Sequence, residues 1–254
     1  MRRSAPSAVR AVTLDCWGTL LLDTPASDDE RYRRRRLALM QEVLAGAGVR
    51  AAPRELERAY DESGRGLARI WRDRRDVPVS RHVALVLEAL DPELPRRLDP
   101  ATLAALVHAY ASPALAVPPA ADEAARAALD ELAGRGVALA VVSNIMRTPG
   151  DVLRRVFEGA GLLDRFDALT FSDECGIRKP DPEIFRLTLR RLGVSPEEAV
   201  HVGDDPILDV EGARDAGMAV IQLSPDGRAT APVKPDAVIS RLGDLPAALG
   251  RINQ

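Results

Sequence analysis

The first apolar run of the chain predicts a buried strand. The residues Ala-Val-Thr-Leu occupy positions 11–14, and the run ends at Asp15, followed by Gly18 and Thr19. A short apolar run bounded by turn-forming residues is typical of a buried strand. In a parallel sheet Asp15 would then lie at the carboxyl edge, where ligands bind in open α/β folds. Taken alone, this Asp is equally compatible with an ordinary cap for the next segment.

Residues 22 to about 115 have a different pattern, in which strand-like runs vanish and apolar residues recur at helical spacing. Each helical stretch begins at a capping or first-turn residue and ends near Pro or Asp. The predicted helices are Asp28–Ala47, Pro53–Arg75, Ser80–Leu90 and Pro100–Ala111. An all-helical block of this length inside an α/β chain predicts an inserted domain.

After the linker Val117-Pro-Pro-Ala, helices and strands alternate regularly. The predicted helices cover about 121–134, 149–159, 181–192, 206–216 and 244–251, and the strands 137–142, 168–172, 199–203, 218–222 and 236–240. This alternation predicts a doubly wound parallel sheet. The predicted fold is therefore α/β, with a Rossmann-like core over 1–21 and 116–254 and an all-helical domain over 22–115.

Composition and charge narrow the class of protein. Lys and Arg total 35 against 38 Asp and Glu, so no basic surface for nucleic acid is expected. No apolar run approaches the roughly 18 residues of a membrane span, and the first seven residues lack the apolar core of a signal peptide. The two cysteines cannot form a disulfide framework. We expect a cytoplasmic protein without nucleic-acid or membrane partners, as a monomer or homodimer.

Four groups of different chemistry follow predicted strands or precede a predicted helix. Lys179 is one of only two lysines, so its place before a helix marked by Pro180 and Pro182 is informative. The four groups are Asp15; Ser143 with Asn144; Lys179; and Asp204, Asp205 and Asp209. They provide a carboxylate nucleophile, an anion cradle, a counter-charge and a hard-metal site.

In this order the four groups resemble the four motifs of the haloacid dehalogenase-like hydrolase superfamily, over residues 11 to about 218. The stretch Asp-Val-Glu-Gly-Ala-Arg-Asp-Ala-Gly-Met from position 209 is similar to the helix after the fourth motif in the phosphatase branch. The helical block lies between the first two motifs, as in members with a helical cap of the first type. The resemblance therefore implies a cap domain over 22–115.

The resemblance also implies roles for individual residues. Asp15 would be the nucleophile that takes the phosphoryl group as an aspartyl-phosphate. Ser143, helped by the backbone N–H at Asn144, would bind the transferring group, and Thr19 is expected among the substrate contacts. Lys179 would neutralise charge on the nucleophile and the phosphate.

A Mg²⁺ site is expected at the same place. The resemblance implies that Asp15, Asp204 and Asp205 hold the ion together with the backbone carbonyl at Trp17, and that Asp209 orients the loop. The chemistry favours a metal independently, because carboxylates that face a dianionic phosphate repel it unless a small oxygen-binding cation bridges them.

Trp17 departs from the phosphatase pattern. Phosphatases of this superfamily usually have a second Asp at this position, which protonates the leaving alcohol and then activates water, and Trp17 does neither. Dehalogenases tend to have Tyr there and phosphonoacetaldehyde hydrolases Ala. Dehalogenases, however, have Ser and Asn in place of the metal carboxylates of the fourth motif, whereas this chain has Asp204 and Asp205.

Arg36 is a further candidate for a substrate contact. The run Arg33–Arg36 is typical of a solvated helix face, but helical spacing aligns Arg36 with Tyr32, Met40 and Val43. Arg36 is therefore the member of the run expected to lean towards the cleft. His201, inside a predicted strand, is expected to be a core histidine.

These features together predict a Mg²⁺-dependent phosphatase that acts on a small phosphorylated metabolite through Asp15. Two alternatives remain. One is a hydrolytic 2-haloacid dehalogenase that uses the same Asp. The other is a phosphate-binding regulatory protein with weak turnover, because Trp17 replaces the usual acid/base.

Overall fold

A six-stranded parallel sheet forms the centre of the computed structural model, which describes residues 8–252. The strands are β1 (Ala11–Leu14), β2 (Leu21–Leu22), β3 (Ala120–Ala121), β4 (Ala138–Ser143), β5 (Ala168–Phe171), β6 (Ala199–Gly203), β7 (Ala219–Leu223) and β8 (Ala237–Ile239). Their order in the main sheet is β5-β4-β1-β6-β7-β8, and every pair is parallel. The predicted α/β class with a doubly wound parallel sheet is confirmed.

Twelve α-helices accompany these strands in the described part of the chain. They are α1 (Asp29–Gly46), α2 (Pro53–Arg72), α3 (Val79–Leu90), α4 (Leu94–Arg97), α5 (Pro100–Ala111), α6 (Pro113–Ala116), α7 (Ala125–Gly134), α8 (Gly150–Gly159), α9 (Ser172–Cys175), α10 (Pro182–Leu192), α11 (Gly212–Ala216) and α12 (Leu245–Ile252). A π-helical turn, Pro206–Glu211, precedes α11, and 3₁₀ turns cover Leu163–Arg165, Pro196–Glu198 and Leu242–Asp244.

The centre of the sheet explains why the motif residues share one edge. All four residues of β1 are buried, as expected for a strand that is covered on both faces. β1 pairs with β4 and β6 on its two sides, and Leu14 lies opposite Val141 and Val202. Because these strands are parallel and nearly in register, Asp15 and the residues that follow β4 and β6 emerge together.

The helices α1 to α6, which we call the helical segment (residues 29–116), lie between β2 and β3. β2 and β3 pair as a two-stranded antiparallel ribbon, so the chain leaves and re-enters the sheet domain at one place. The carboxylate of Asp28 caps α1 by accepting a hydrogen bond from the backbone N–H of Arg31. On α1 the buried face contains Tyr32, Arg36 and Met40.

Several predicted boundaries are wrong for identifiable physical reasons. The helix predicted from about 121 begins at Ala125, because residues 120–121 form β3. The helix predicted over 206–216 begins as a π-helical turn and becomes α-helical only at Gly212. The short elements β2, β3, α4, α6 and α9 were not predicted, since two to four residues are too few to show a period.

The cellular location of the protein was predicted from its apolar runs, its first seven residues and its two cysteines. Among residues 8–252, no helix is long and apolar enough to cross a membrane. Cys16 and Cys175 are both free thiols. The prediction that the chain lacks a signal peptide rests on residues 1–7, which lie outside the described residues.

Candidate active site

A cavity of about 270 Å³ opens at the carboxyl edge of the sheet. Asp15, Ser143, Lys179 and Asp204 all line it, although they are up to 189 positions apart in the sequence. The further lining residues are Trp17, Asp23, Asp29, Tyr32, Arg36, Asn144, Met146, Arg147, Thr148, Arg178, Asp205, Leu208 and Asp209. The structure thus brings the four sequence motifs into one site.

Lys179 joins two carboxylates at the base of the cavity. Its Nζ donates a short hydrogen bond to Oδ1 of Asp15 and another, of 2.6 Å, to Oδ1 of Asp209. The side chain is buried. Burial disfavours its charge, but the two carboxylates outweigh this effect and hold the pKa of Lys179 above its usual value. Lys179 is therefore a permanent positive charge beside Asp15.

Asp15 is a buried carboxyl group with unusual electrostatics. Burial raises its pKa to about 7, and Lys179, which acts in the opposite direction, offsets this only partly because Asp209 adds a like charge. An ionised Asp15 at neutral pH is therefore favoured by any further positive charge in the cavity. A bound divalent cation would supply that charge.

Asn144 fixes the backbone of Lys179 from both sides. Its Nδ2 donates to the carbonyl of Lys179 at 3.0 Å, and its Oδ1 accepts from the N–H of Lys179 at 2.8 Å. Through these two bonds the amide side chain positions Lys179, and the contact of the Asn144 backbone N–H with the transferring group stays a prediction. Ser143, the last residue of β4, lines the cavity with its hydroxyl 3.4 Å from the carbonyl of Asn144.

Asp209 organises the loop after β6. Its Oδ2 accepts from the backbone N–H of Asp205 at 3.0 Å, and its Oδ1 lies 3.1 Å from Nε2 of His201 as well as contacting Lys179. Burial acts to raise the pKa of Asp209, but Lys179 and His201 outweigh it and lower that pKa. His201 is a fully buried core residue whose Nδ1 lies 2.8 Å from Oγ1 of Thr13.

A group of three carboxylates matches the requirements of a hard metal ion. Oxygens of Asp15, Asp204 and Asp209 all lie within 4.8 Å of one another. Oxygen ligands in such a cluster fit Mg²⁺. Asp205 lies outside this group, and its Oδ1 accepts from the N–H groups of Ile207 and Leu208 and caps the π-helical turn. The third carboxylate of the group is Asp209, whose two oxygens are also engaged by Lys179, His201 and the Asp205 N–H.

Gly18 allows the first motif to approach this group. Its φ is +78°, and a Cβ atom there would lie 2.7 Å from Oδ2 of Asp204. A side chain at position 18 would therefore displace the carboxylate. Thr19 is fully buried behind the same group, with Oγ1 3.4 Å from Oδ1 of Asp204. Thr19 thus supports Asp204, and the substrate contact expected of it stays a prediction.

Trp17 and Arg36 both line the cavity, and their predicted contacts with substrate stay predictions. Trp17 is partly buried and packs against the hydrophobic core. Arg36 is 2% exposed and reaches the cavity from α1. Its Nε donates to the carbonyl of Tyr110 at 2.6 Å and its Nη1 to the hydroxyl of Tyr60 at 3.1 Å.

Sequence reasoning missed several lining residues near the motifs. Arg147 follows Ser143 and Asn144 in the loop after β4, and Arg178 directly precedes Lys179. Extending the strand-end argument by a few residues would have found both. The sequence has no comparable signal for Asp23 and Asp29. They reach the cavity because the ribbon of β2 and β3 brings the start of the helical segment there.

The fold and the site define an α/β protein that has a carboxylate directly after the first strand of its parallel sheet and a lysine counter-charge beside it. The chain belongs to the haloacid dehalogenase-like hydrolase family, whose model matches residues 9–217. The resemblance noted in the sequence is thus confirmed.

Relatives of known name include both phosphatases and dehalogenases. A phosphoserine phosphatase of Thermus thermophilus is 43% identical over 122 residues, which are 48% of this chain and 47% of that protein. A 2-haloacid dehalogenase structure from Pseudomonas syringae pv. Tomato has a TM-score of 0.66 at 26% identity, covering 96% of this chain and 99% of its own. A HAD phosphatase structure from Thermococcus onnurineus has a TM-score of 0.61 at 26% identity, covering 95% and 98%.

The curated relative therefore matches this chain over about half of its own length. Both solved structures match it nearly from end to end. The shared architecture includes the helices as well as the sheet, whereas activity and substrate are matters for proposal.

Proposed function

We propose that this protein is a Mg²⁺-dependent phosphatase that hydrolyses a small phosphorylated metabolite through Asp15. The observation that supports this function best is the carboxylate group Asp15, Asp204 and Asp209 beside Lys179. A carboxylate cluster beside one lysine suits a hard cation and, with it, a phosphoryl group. Displacement of a halide requires no metal ion, so it would not need this cluster.

Asp15 and Lys179 provide the transfer step. A carboxylate oxygen of Asp15 forms a bond to phosphorus as the bond from phosphorus to the leaving alcohol oxygen breaks, which gives an aspartyl-phosphate. Water then attacks phosphorus, the bond from phosphorus to the Asp15 oxygen breaks, and inorganic phosphate leaves with the carboxylate free. The proton that this water gives up balances the proton that the leaving alcohol oxygen takes from solvent. Lys179 orients Asp15 and compensates its charge throughout, and the hydroxyl of Ser143 is placed to bind a phosphoryl oxygen.

Asp15 and Asp204, with the backbone carbonyl at position 17, would hold Mg²⁺. When bound, the ion neutralises charge between the carboxylates and the phosphate. Asp209 has both oxygens engaged with Lys179, His201 and the Asp205 N–H. We assign it to positioning of the loop.

We further propose that residues 22–115 act as a cap over a core formed by 1–21 and 116–254. Asp23, Asp29, Tyr32 and Arg36 belong to the first part of that range and line the cavity opposite the strand ends. A cap would exclude water and complete the substrate pocket.

A hydrolytic dehalogenase is the second candidate. Trp17, an aromatic residue in place of the usual acid/base, favours it, because a halide leaves without a proton. The Pseudomonas syringae dehalogenase structure also has a higher TM-score than the Thermococcus onnurineus phosphatase structure.

One assay separates the candidates. Phosphate release from a panel of phosphorylated metabolites, and halide release from 2-haloacids, are measured with Mg²⁺ and with a chelator. We expect Mg²⁺-dependent phosphate release that Asp15→Asn abolishes. Halide release independent of Mg²⁺ would establish the dehalogenase, and binding of phosphorylated ligands without either product would establish the regulatory protein.

A further inference from the structure

Two arginines from different parts of the chain face the substrate cavity without an acidic partner. Arg36 comes from α1 and Arg147 from the loop after β4. We propose that they form a subsite for a second anionic group of the substrate, such as a carboxylate or a second phosphate. This inference rests on the proposed phosphatase function and specifies its substrate class.

Arg36 is a buried cation held only by neutral groups. Its two hydrogen bonds go to the Tyr110 carbonyl and the Tyr60 hydroxyl, and its guanidinium carbon lies 4.9 Å from the centroid of the Tyr110 ring. A guanidinium has five N–H donors. The described bonds use two of its nitrogens, so donor capacity remains at the cavity wall.

Arg147 approaches the same tyrosines from the other side of the cleft. Its Nη1 donates to the hydroxyl of Tyr110 at 2.5 Å, and its guanidinium carbon lies 4.6 Å from the centroid of the Tyr60 ring. Tyr60 and Tyr110 contact each other at 6.0 Å between centroids. The two arginines therefore meet at one pair of aromatic rings.

Neither arginine is paired with a carboxylate of the described part of the chain, although the charge of Asp29 contributes from a distance to raising the pKa of Arg147. Among residues 8–252, no carboxylate oxygen lies within 4.0 Å of either guanidinium. Contacts with tyrosine rings stabilise a cation only partly, and a buried charge is expensive unless it is paired. The surrounding structure nevertheless fixes both side chains beside the cavity. This is the arrangement expected where a ligand supplies the missing charge.

The two acidic residues on this side of the cavity do not take that role. Asp23 and Asp29 are exposed, so water screens their charges, whereas Arg36 is buried. An anion that enters the cavity would meet Asp23 and Asp29 at its outer wall and the arginines further in. The cavity volume of about 270 Å³ limits the remainder of the substrate to a small metabolite.

Matched pairs of substrates test the subsite directly. 3-Phosphoglycerate and glycerol 3-phosphate differ only in a carboxylate against a hydroxymethyl group, and ribulose 1,5-bisphosphate and ribulose 5-phosphate differ by a second phosphate. With the full chain and Mg²⁺, we expect kcat/KM in at least one pair to be about tenfold or more higher for the member with the second anionic group. The pair that shows the preference identifies whether the second anion is a carboxylate or a phosphate.

Arg147→Gln should remove this preference mainly through KM, while turnover of the partner that lacks the second anionic group, and of p-nitrophenyl phosphate, changes little. Arg155→Gln is the matched control, because Arg155 is exposed on α8 nearby. Arg36→Gln should act in the same direction, provided that its thermal unfolding matches that of the wild type. Arg147→Gln, on a loop, keeps the test valid if Arg36→Gln fails to fold.

Two results would overturn the subsite: no preference in either pair, or a preference that survives Arg147→Gln. Failure of the phosphatase function is recognised separately, by absence of phosphate release from every compound, including p-nitrophenyl phosphate. In that case calorimetric binding of both pairs of compounds to wild type and Arg147→Gln still decides the subsite. Equal binding of the two members within each pair by the wild type would refute it.

Discussion

Asp76, between α2 and α3, forms a buried ion pair with Arg178, the residue before Lys179. The distance from Oδ2 of Asp76 to Nη1 of Arg178 is 2.6 Å, and the two side chains are 0% and 6% exposed. The backbones pair as well: the N–H of Asp76 donates to the carbonyl of Gly176 at 3.1 Å, and that of Arg178 to Arg74 at 3.0 Å. The helical segment is thus attached to the strand-end loop that presents Lys179.

Neighbouring groups complete this contact. Trp71 donates from Nε1 to Oδ1 of Asp76 at 2.9 Å, and its ring lies 4.4 Å from the guanidinium carbon of Arg178. The hydroxyl of Ser172 donates to Oδ2 of Asp76 at 2.5 Å. Because every charge is paired and hydrogen-bonded, removal of one partner leaves the other buried without compensation.

Asp76→Asn should therefore lower the free energy of unfolding by about 3–5 kcal/mol, as measured by urea denaturation. The double variant Asp76→Asn/Arg178→Met should lose less than the sum of the two single variants, because it removes both charges. Glu88→Gln, which breaks the exposed pair of Arg81 and Glu88, is the control and should cost at most about 1 kcal/mol. Additive losses in the double variant would show that the pair is not coupled.

The affinity for Mg²⁺ should depend differently on two adjacent carboxylates of the fourth motif, Asp204 and Asp205. We expect Asp204→Asn to weaken Mg²⁺ affinity strongly, because Asp204 belongs to the carboxylate cluster. Asp205→Asn should change it much less, since Asp205 caps the following turn through Oδ1, an acceptor that Asn retains. Isothermal titration calorimetry on both variants measures this difference. Equal affinities of wild type and Asp204→Asn would remove Asp204 from the metal site.

Trp17→Asp should raise turnover of alkyl phosphates. A positioned general acid/base contributes about 10²–10⁴ in rate, and Trp17 cannot act as one. The gain should be small for p-nitrophenyl phosphate, whose leaving group is a stabilised anion. Trp17→Asn, which makes the same space without a proton to give, is the control. Brisk wild-type turnover of an alkyl phosphate with no gain in Trp17→Asp would mean that another group supplies the proton.

Asp173 should make stability depend on pH. Burial raises its pKa to about 6, and Glu174 and Asp76 add like charge. A carboxyl group whose pKa is higher in the folded than in the unfolded state binds more protons when folded. Its contribution to stability is therefore fully present below about pH 4 and is lost as pH rises through about 6.

The measurement is the free energy of unfolding of wild type and Asp173→Asn in urea at pH 4.5 and pH 8. Relative to the variant, the wild type should lose about 2 kcal/mol between these values, because about 1.5 pH units separate pH 4.5 from the folded pKa of about 6, at about 1.4 kcal/mol per unit. Asp151→Asn, at an exposed position in the first turn of α8, is the control and should show no such difference. A pH-independent difference between wild type and Asp173→Asn would contradict the prediction.

Much of the fold could be predicted because its signals are local. Helix Pro100–Ala111 and strand Ala199–Gly203 have the predicted bounds, since a proline at a helix start and a continuous apolar run are readable in the sequence. The π-helical turn after β6 was not readable, because it depends on the cap by Asp205 and on the hydrogen bond from its backbone to Asp209.

The sequence by itself determined the parallel sheet and the residues that gather at its carboxyl edge. Asp15 and Asp204 each follow a strand and Ser143 ends one. Parallel strands bring such residues to one edge of the sheet, regardless of the loops. Only the tertiary structure decided how these groups are used. Three contacts depend on side-chain directions and on packing between distant segments. Asp209, and not Asp205, groups with Asp15 and Asp204; Asn144 holds the backbone of Lys179; and Arg36 meets Arg147 at one pair of tyrosine rings. No local pattern encodes those contacts, because each is set by where a second, remote element lies.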